Sequence, residues 1–297
     1  MILLVGATGT LGGHVARQLL DKGHRVRAMT RDPARASALR AAGADVVRGD
    51  LRDIESLRSA TRGVRAVVSA SHSILGARSS SSARVDDEGQ SALIAAATDA
   101  GVGHFVYLSA LGASPSHPVD FWRTKERIER HLEASTLCST IIRPSAFMEM
   151  HAYELIGKAV MKGKRVVLFG PGNNPRNFVA AADVATLVVR ALEDERLRGK
   201  GSTIEIGGPE NLTSREVVAT FERVAGTKAK VTHVPLPVLR AFSQLLTPVH
   251  QGVSRILKAT RVAETTDQRF DSAPLLARFP MTLTRLEDWA RSQVVGI

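Results

Sequence analysis

The chain has 297 residues, 44% of them hydrophobic and 23% charged. That is enough to bury one sizeable core or two modest ones, and it excludes a disordered or fibrous polypeptide. Forty Lys and Arg stand against 29 Asp and Glu, a formal net charge of +11, which invites an anionic ligand.

In chain order, Ile2 to Val5 reads as a buried strand, and Val15, Leu19 and Leu20 put an apolar stripe on the helix that follows. Arg25 to Met29 is the second strand candidate, after which Asp32 and Pro33 supply an N-cap and a first helical position. Asp45 to Val47, Ala66 to Ser69, His104 to Ser109 and Ser139 to Arg143 continue the alternation. This rhythm predicts an α/β fold, a doubly wound parallel sheet of the Rossmann kind. After Pro144 the pattern loosens. Val166 to Leu168, Thr203 to Ile206 and Val231 to His233 are brief strand candidates in a smaller, partly helical lobe. The predicted division is residues 1–150 for a nucleotide-binding domain and 151–297 for a substrate or partner lobe intertwined with it, with a ligand cleft between them. Asn177 to Ala185 is expected to open a further helix, with Asp183 as its cap. The loop Ser71 to Val85, with its run Ser79 to Ser82, reads as a solvated loop or a lid.

The loop Gly6-Ala7-Thr8-Gly9-Thr10-Leu11-Gly12 lies directly after the first strand and directly before an amphipathic helix. Glycine suits such a turn because the backbone must take unusual angles, approach a pyrophosphate closely and let the helix pack tightly on the strand. Free amides at the helix start then face the phosphates. A tight turn with no ligand is the competing reading. Arg31, nineteen residues past Gly12 at the tip of the second strand, fits a 2′-phosphate through its guanidinium fork and so favours NADP, with NAD as the alternative. Asp32 could serve a ribose instead, but before Pro33 it is more naturally a helix cap.

With those residues, the chain resembles the atypical short-chain dehydrogenases, specifically their NmrA-like and isoflavone-reductase-like branch. The resemblance spans the whole length and is sharpest over residues 1–150. It rests on the glycine loop, on Gly49-Asp50-Leu51, and on Ile142-Arg143-Pro144-Ser145-Ala146-Phe147-Met148-Glu149. It implies that Asp50, in the turn with Leu51, accepts a hydrogen bond from the adenine amine. Ser69, Ala70 and Ser71 would flank the cofactor, and Pro144, Ser145, Ala146 and Phe147 would line the nicotinamide pocket.

Full short-chain dehydrogenases carry a Ser on the fifth strand and a Tyr-x-x-x-Lys pair on the next helix, the Lys lowering the phenol's pKa for proton transfer. Here Ser109 and Lys125 are present, but the position four residues before Lys125 is Phe121. Three readings stay open. Lys125 binds the nicotinamide ribose and donates the proton itself; another Tyr, Tyr107 or Tyr153, supplies it; or no proton transfer occurs, as with a quinone acceptor or a protein that only senses its cofactor. Ser109 is carried as a second catalytic candidate, and His131 and His151 as weaker acids.

No Cys pair or His spacing suggests a metal site, and neither a Gly-x-Ser-x-Gly elbow nor a Gly-Lys-Ser/Thr phosphate loop occurs. Basic residues run from Arg17 to Arg291 interleaved with acids, and only 4% of residues are aromatic, so nucleic acid is not the expected partner. Pro237 to Arg261, apolar with interspersed Arg and Lys, reads as a pocket roof or an interface, with an anionic membrane surface as the alternative. A single cysteine, Cys138, no basic leader before Gly6 and no apolar run near the ~20 residues of a membrane helix predict a cytoplasmic protein. The expected function is an oxidoreductase passing hydride from NADPH to a small, apolar carbonyl, enone or quinone, as a monomer or homodimer. The alternative is an NADP-binding regulator without turnover.

Overall fold

The computed structural model describes residues 1–74, 83–197, 199, 201–246 and 250–295. They form two compact units, Met1–Arg143 with Val184–Ile204, and Pro144–Asp183 with Glu205–Ile297.

In the first unit the elements run β1 (Ile2–Val5), α1 (Thr10–Asp21), β2 (Val26–Thr30), α2 (Ser37–Ala41), β3 (Asp45–Arg48), α3 (Ile54–Thr61), β4 (Ala66–Ser69), α4 (Gly89–Asp99), β5 (His104–Leu108), α5 (Asp120–Ala134) and β6 (Ser139–Pro144). A π-helical turn, Ala83–Glu88, leads into α4. The β1 residues are all but fully buried, as expected of a strand covered by helices on both faces. Asp32 caps the turn after β2, its Oδ1 accepting from the Ala34 N–H at 3.1 Å.

The sheet has seven strands in the order β10-β6-β5-β4-β1-β2-β3, where β10 is Ser202–Ile206. Strands β1 to β6 pair in parallel. Thr203 to Ile206, expected in the second lobe, is instead the seventh strand of this sheet. Its sequence pattern marks it as a strand, but only pairing partners decide which sheet a short strand joins. The order reverses at β1 and β4, so the segments leaving their carboxyl ends open side by side. Leu3, Val5, Val67, Phe105, Tyr107 and Ile141 pack here against Leu57, Leu93, Ile128 and Leu132 from the helices.

The second unit contains β7 (Ala146–Phe147), β8 (Val166–Phe169), β9 (Arg176–Val179), β11 (Asn211–Leu212) and β12 (Val231–Val234). Strand β9 pairs in parallel with β7 and antiparallel with β11, and β12 pairs in parallel with β8. Asn177 to Val179, read as the approach to a helix, is therefore strand, and the helix Ala181–Glu193 starts after it. Asp183 lies inside the first turn of that helix rather than capping it. Its carboxylate accepts the Thr284 N–H at 2.8 Å and hydroxyl at 2.9 Å, tying the carboxyl-terminal segment down. The core of this unit gathers Met148, Ile156, Val160, Phe178, Val217, Phe221 and Leu286.

Among the described residues no helix is long and apolar enough to cross a membrane, and no cluster of His, Cys, Asp and Glu could hold a metal ion. The run Ser79 to Ser82 lies outside the described residues.

Candidate functional site

The glycine loop is built as its spacing predicts. Gly6 leaves β1 at φ +86°, a left-handed angle, and a Cβ there would lie 3.0 Å from the Ala70 and Ser71 backbone. A Cβ on Gly12 would lie 2.1 Å from the Gly6 oxygen. These two glycines seat the amino end of α1 against the β1 and β4 exits. Gly9 is the N-cap and offers no side chain, the first turn of α1 holds no acid, and the first helical hydrogen bond beyond it is Gly13 N–H to Gly9 O at 2.8 Å. The amides of Thr10, Leu11 and Gly12 are thus left for an anion. This uncapped, acid-free cradle of backbone N–H groups fits a dinucleotide pyrophosphate. Thr8 lies in the turn itself.

Arg31 is exposed just past β2. Asp32 spends its carboxylate on the Ala34 cap. Asp50, expected to face an adenine amine, is gripped by Arg52: Oδ1 accepts from Nε at 2.9 Å and from the Arg52 N–H at 3.0 Å. That pairing with Arg52, only partly opposed by desolvation, holds the Asp50 carboxyl below the usual carboxylate range. Asp194 with Arg196 and Asp267 with Arg269 repeat the same Asp-x-Arg turn, so the spacing was a readable signal. Leu51 is buried in the core.

At the β4 exit the Ser69 hydroxyl donates inward to Gln90 Oε1 at 2.7 Å. Gln90 Nε2 in turn donates to Ser71 Oγ at 3.2 Å, and the Ala70 N–H donates to Val5 O at 2.9 Å. The segment is therefore anchored by its own backbone and by a buried amide. Asp86, also buried, accepts the Ser73 N–H at 2.8 Å.

Lys125 is 3% exposed. Its ammonium donates to Leu108 O at 2.7 Å and lies over two aromatic rings, 4.8 Å from the Tyr107 centroid and 5.6 Å from that of Phe121. Burial pulls its pKa down to about 8, partly offset by the carboxylates of Asp86 and Glu129. Ser109 donates its hydroxyl to Glu129, which Arg143 also grips, from Nε at 3.0 Å and Nη2 at 2.5 Å. The Ser109 proton is thus committed to a buried carboxylate, which leaves that hydroxyl an acceptor toward any ligand. Glu129 is only 4% exposed. Arg143→Leu, which strands its charge, is expected to cost about 3–5 kcal/mol, read as a lower denaturant midpoint, whereas the Arg143→Leu/Glu129→Leu double variant should recover most of it.

Tyr107 cannot supply the missing proton. Its hydroxyl is fully buried with no hydrogen-bond partner among the described residues, and desolvation, reinforced by Asp86 and Glu129, holds its pKa well above the ordinary value. Tyr153 packs between Phe221 and Trp289 in the core of the second unit. His131 is exposed late in α5, and His151 Nδ1 lies 3.3 Å from Phe147 O.

A residue the sequence pattern did not single out stands beside Phe121. His72, three residues past Ser69, meets the Phe121 ring edge to face, centroids 5.9 Å apart at 76°. Part of its ring surface is open to solvent, but the protein packed around it desolvates the charged form and so lowers its pKa; Lys125 lowers it further and Asp86 raises it. Its place right after the β4 exit was the available signal.

Pro144, Ser145, Ala146 and Phe147 lead from β6 into β7. The Ser145 hydroxyl donates to Asn177 Oδ1 at 2.8 Å. That buried amide also takes the Gly208 N–H at 2.7 Å and donates to Gly208 O and Glu210 O, both at 3.1 Å. Ser145 thus fixes the backbone of its own segment, while Ala146 and Phe147 stay partly exposed.

The sequence matches the model of the NmrA-like family over residues 1–286. The chain belongs to that family. Among its relatives is the photosystem II assembly factor Ycf39 of Synechocystis sp., 31% identical over 97% of this chain and 89% of that one. Another is the NAD(P)H azoreductase of Xenophilus azovorans, 31% identical over 80% of this chain and 78% of that one. Of solved structures, the NADPH-dependent quinone oxidoreductase QOR2 of Escherichia coli, complexed with NADPH, aligns with a TM-score of 0.79 and 25% identity, covering 99% of this chain and 100% of that one. This NmrA-like chain therefore shares its fold with a reductase, and its relatives include both a redox enzyme and an assembly factor.

Proposed function

We propose that the protein is an NADPH-dependent reductase of a small, apolar quinone, enone or carbonyl compound. The observation that carries this reading is the uncapped amide cradle of Thr10, Leu11 and Gly12, held open by Gly6 and Gly12 packed backbone to backbone. When bound, NADPH supplies the hydride; the chain positions, excludes water and manages the proton. In this reading Gly6 to Gly12 hold the pyrophosphate, with Thr8 and Gly9 in its turn, and Arg31 pairs with the 2′-phosphate. Asp50 and Leu51 flank the adenine, Ser69 to Ser71 run along the cofactor, and Pro144 to Phe147 border the nicotinamide. Lys125 contributes the site's buried positive charge and holds the ribose.

The azoreductase and quinone oxidoreductase relatives support the reaction class. The test is to mix purified protein with NADPH and a panel of quinones and enones and to follow loss of absorbance at the dihydronicotinamide band. Binding of NADPH with no turnover across the panel would overturn the enzyme reading. Arg31→Ala is expected to weaken NADPH at least about tenfold more than NADH, in keeping with a charge-assisted hydrogen bond of ~1.5–3 kcal/mol, as read by calorimetry. Equal losses would remove the NADP assignment.

One observation favours a second reading, a cofactor-binding assembly or regulatory factor without turnover: Phe121 stands where a proton-donating phenol is otherwise found, and the Ycf39 match covers nearly the entire chain.

A further inference from the structure

We propose that His72 is the general acid of this protein, delivering to the substrate the proton that Phe121 cannot. The inference rests on the reductase reading above and adds the residue that completes its chemistry.

Three observations carry it. Position comes first: the imidazole meets the edge of the Phe121 ring, centroids 5.9 Å apart, so it borders the side chain that occupies the phenol's place in the Tyr-x-x-x-Lys pattern. Access comes second. Lys125 and Tyr107 are 3% and 0% exposed, whereas His72 is open to solvent, and a proton donor must touch what it protonates. Anchoring comes third. The residues on either side of His72 are tied down, Ser71 by Gln90 Nε2 at 3.2 Å and the Ser73 N–H by the Asp86 carboxylate at 2.8 Å, so the imidazole is presented from a fixed backbone.

The charges complete the argument. Arg143 and Ser109 occupy Glu129, which leaves Asp86 as the buried carboxylate whose charge acts on Lys125 and His72 together. The ammonium of Lys125 makes its neighbour a stronger acid, as it would a phenol, and Asp86 tempers the effect. The groups acting on His72 are therefore Lys125 from α5 and Asp86 from the turn before α4.

In the step, the electrophilic carbon of a carbonyl gains a hydride from NADPH, and the C=O π pair moves onto oxygen. The imidazolium N–H bond breaks, an O–H bond forms, and the N–H electron pair stays on the ring nitrogen. Water then restores the imidazolium. The sum is carbonyl plus NADPH plus one proton giving alcohol plus NADP⁺.

Two measurements test this. In the unliganded protein, the His72 ring proton resonance, assigned by its loss in His72→Gln, is expected to titrate below the ordinary 6.5. Lys125→Met should move the midpoint up and Asp86→Asn down, each by about one unit. In turnover, His72→Ala and His72→Gln are expected to lower kcat by about 10²-fold or more with NADPH affinity unchanged. Imidazole in the buffer should restore part of the rate to His72→Ala. The wild-type rate should fall as pH rises through the His72 midpoint. A rate that breaks near pH 8 instead would make Lys125 the acid and overturn the proposal. So would a His72→Ala protein with the wild-type rate and pH profile, or a loss that imidazole does not repair. If the wild type reduces nothing in the panel, the reductase reading itself fails, a result separable from all of these.

Discussion

Gly12→Ala protein is expected to bind no measurable NADPH while Gly13→Ala protein, altered at the adjacent residue, binds it normally. A Cβ on Gly12 would stand 2.1 Å from the Gly6 oxygen and 2.9 Å from Ala7 Cα. Its three nearest neighbours are all backbone atoms, so no side chain can swing aside to make room and the first turn of α1 must move away from the β1 exit. Such overpacking costs about 1–3 kcal/mol, and the displacement turns the Thr10 and Leu11 amides off the phosphate position. At Gly13 the nearest atom to a Cβ is 4.0 Å away, and alanine improves helix propensity. Calorimetric titration with NADPH, alongside thermal melting, separates the two effects. Binding by Gly12→Ala within about threefold of wild type would show that the cradle is not the pyrophosphate site, since even one lost phosphate hydrogen bond to a charged group is worth ~1.5 kcal/mol.

Lys125→Met is expected to lose turnover by about 10²-fold, through loss of the group that positions the ribose, and yet to be more stable than the wild type at neutral pH. Folding carries Lys125 from an ordinary pKa of 10.5 to about 8, chiefly through burial. A base whose pKa falls on folding binds more protons in the unfolded chain between those two values. Stability of the wild type should therefore rise as pH increases from about 8 towards 10.5. Below about pH 8 the full penalty applies, up to ~3 kcal/mol for a shift of this size, offset in part by the bond to Leu108 O and the two aromatic faces. Denaturant midpoints at pH 7 and pH 10 for both proteins measure it, and the gap between them should narrow at the higher pH. A Lys125→Met protein of wild-type activity would remove Lys125 from the chemistry.

Much of this was legible in the residues. Gly6 and Gly12 carry their geometry in their identity, because a positive φ and a backbone contact admit no side chain. Ile2 to Val5 and Ala66 to Ser69 show the short apolar runs of buried parallel strands, and Asp32 before Pro33 marked its cap. The errors fall where pairing decides. Arg176 to Val179 is strand because β7 and β11 pair with it, and the sequence at Asn177 gives no period long enough to say so. Thr203 to Ile206 was recognisable as a strand but not as a member of the large sheet. Asp183 has the identity of a cap, yet Thr284, about a hundred residues on in the chain, takes its oxygens.

The sequence by itself determined the glycine-loop cradle, the parallel sheet, the family and the presence of Phe121 four residues before Lys125, since each depends on a residue's own backbone freedom, its hydrophobic spacing or its functional group. Tertiary structure alone decided that Ser109 is committed to Glu129, that Lys125 lies over the Tyr107 ring, and that His72 borders Phe121. Those facts are distances between groups far apart in the chain, and they arise only when β4, β5 and α5 are packed together.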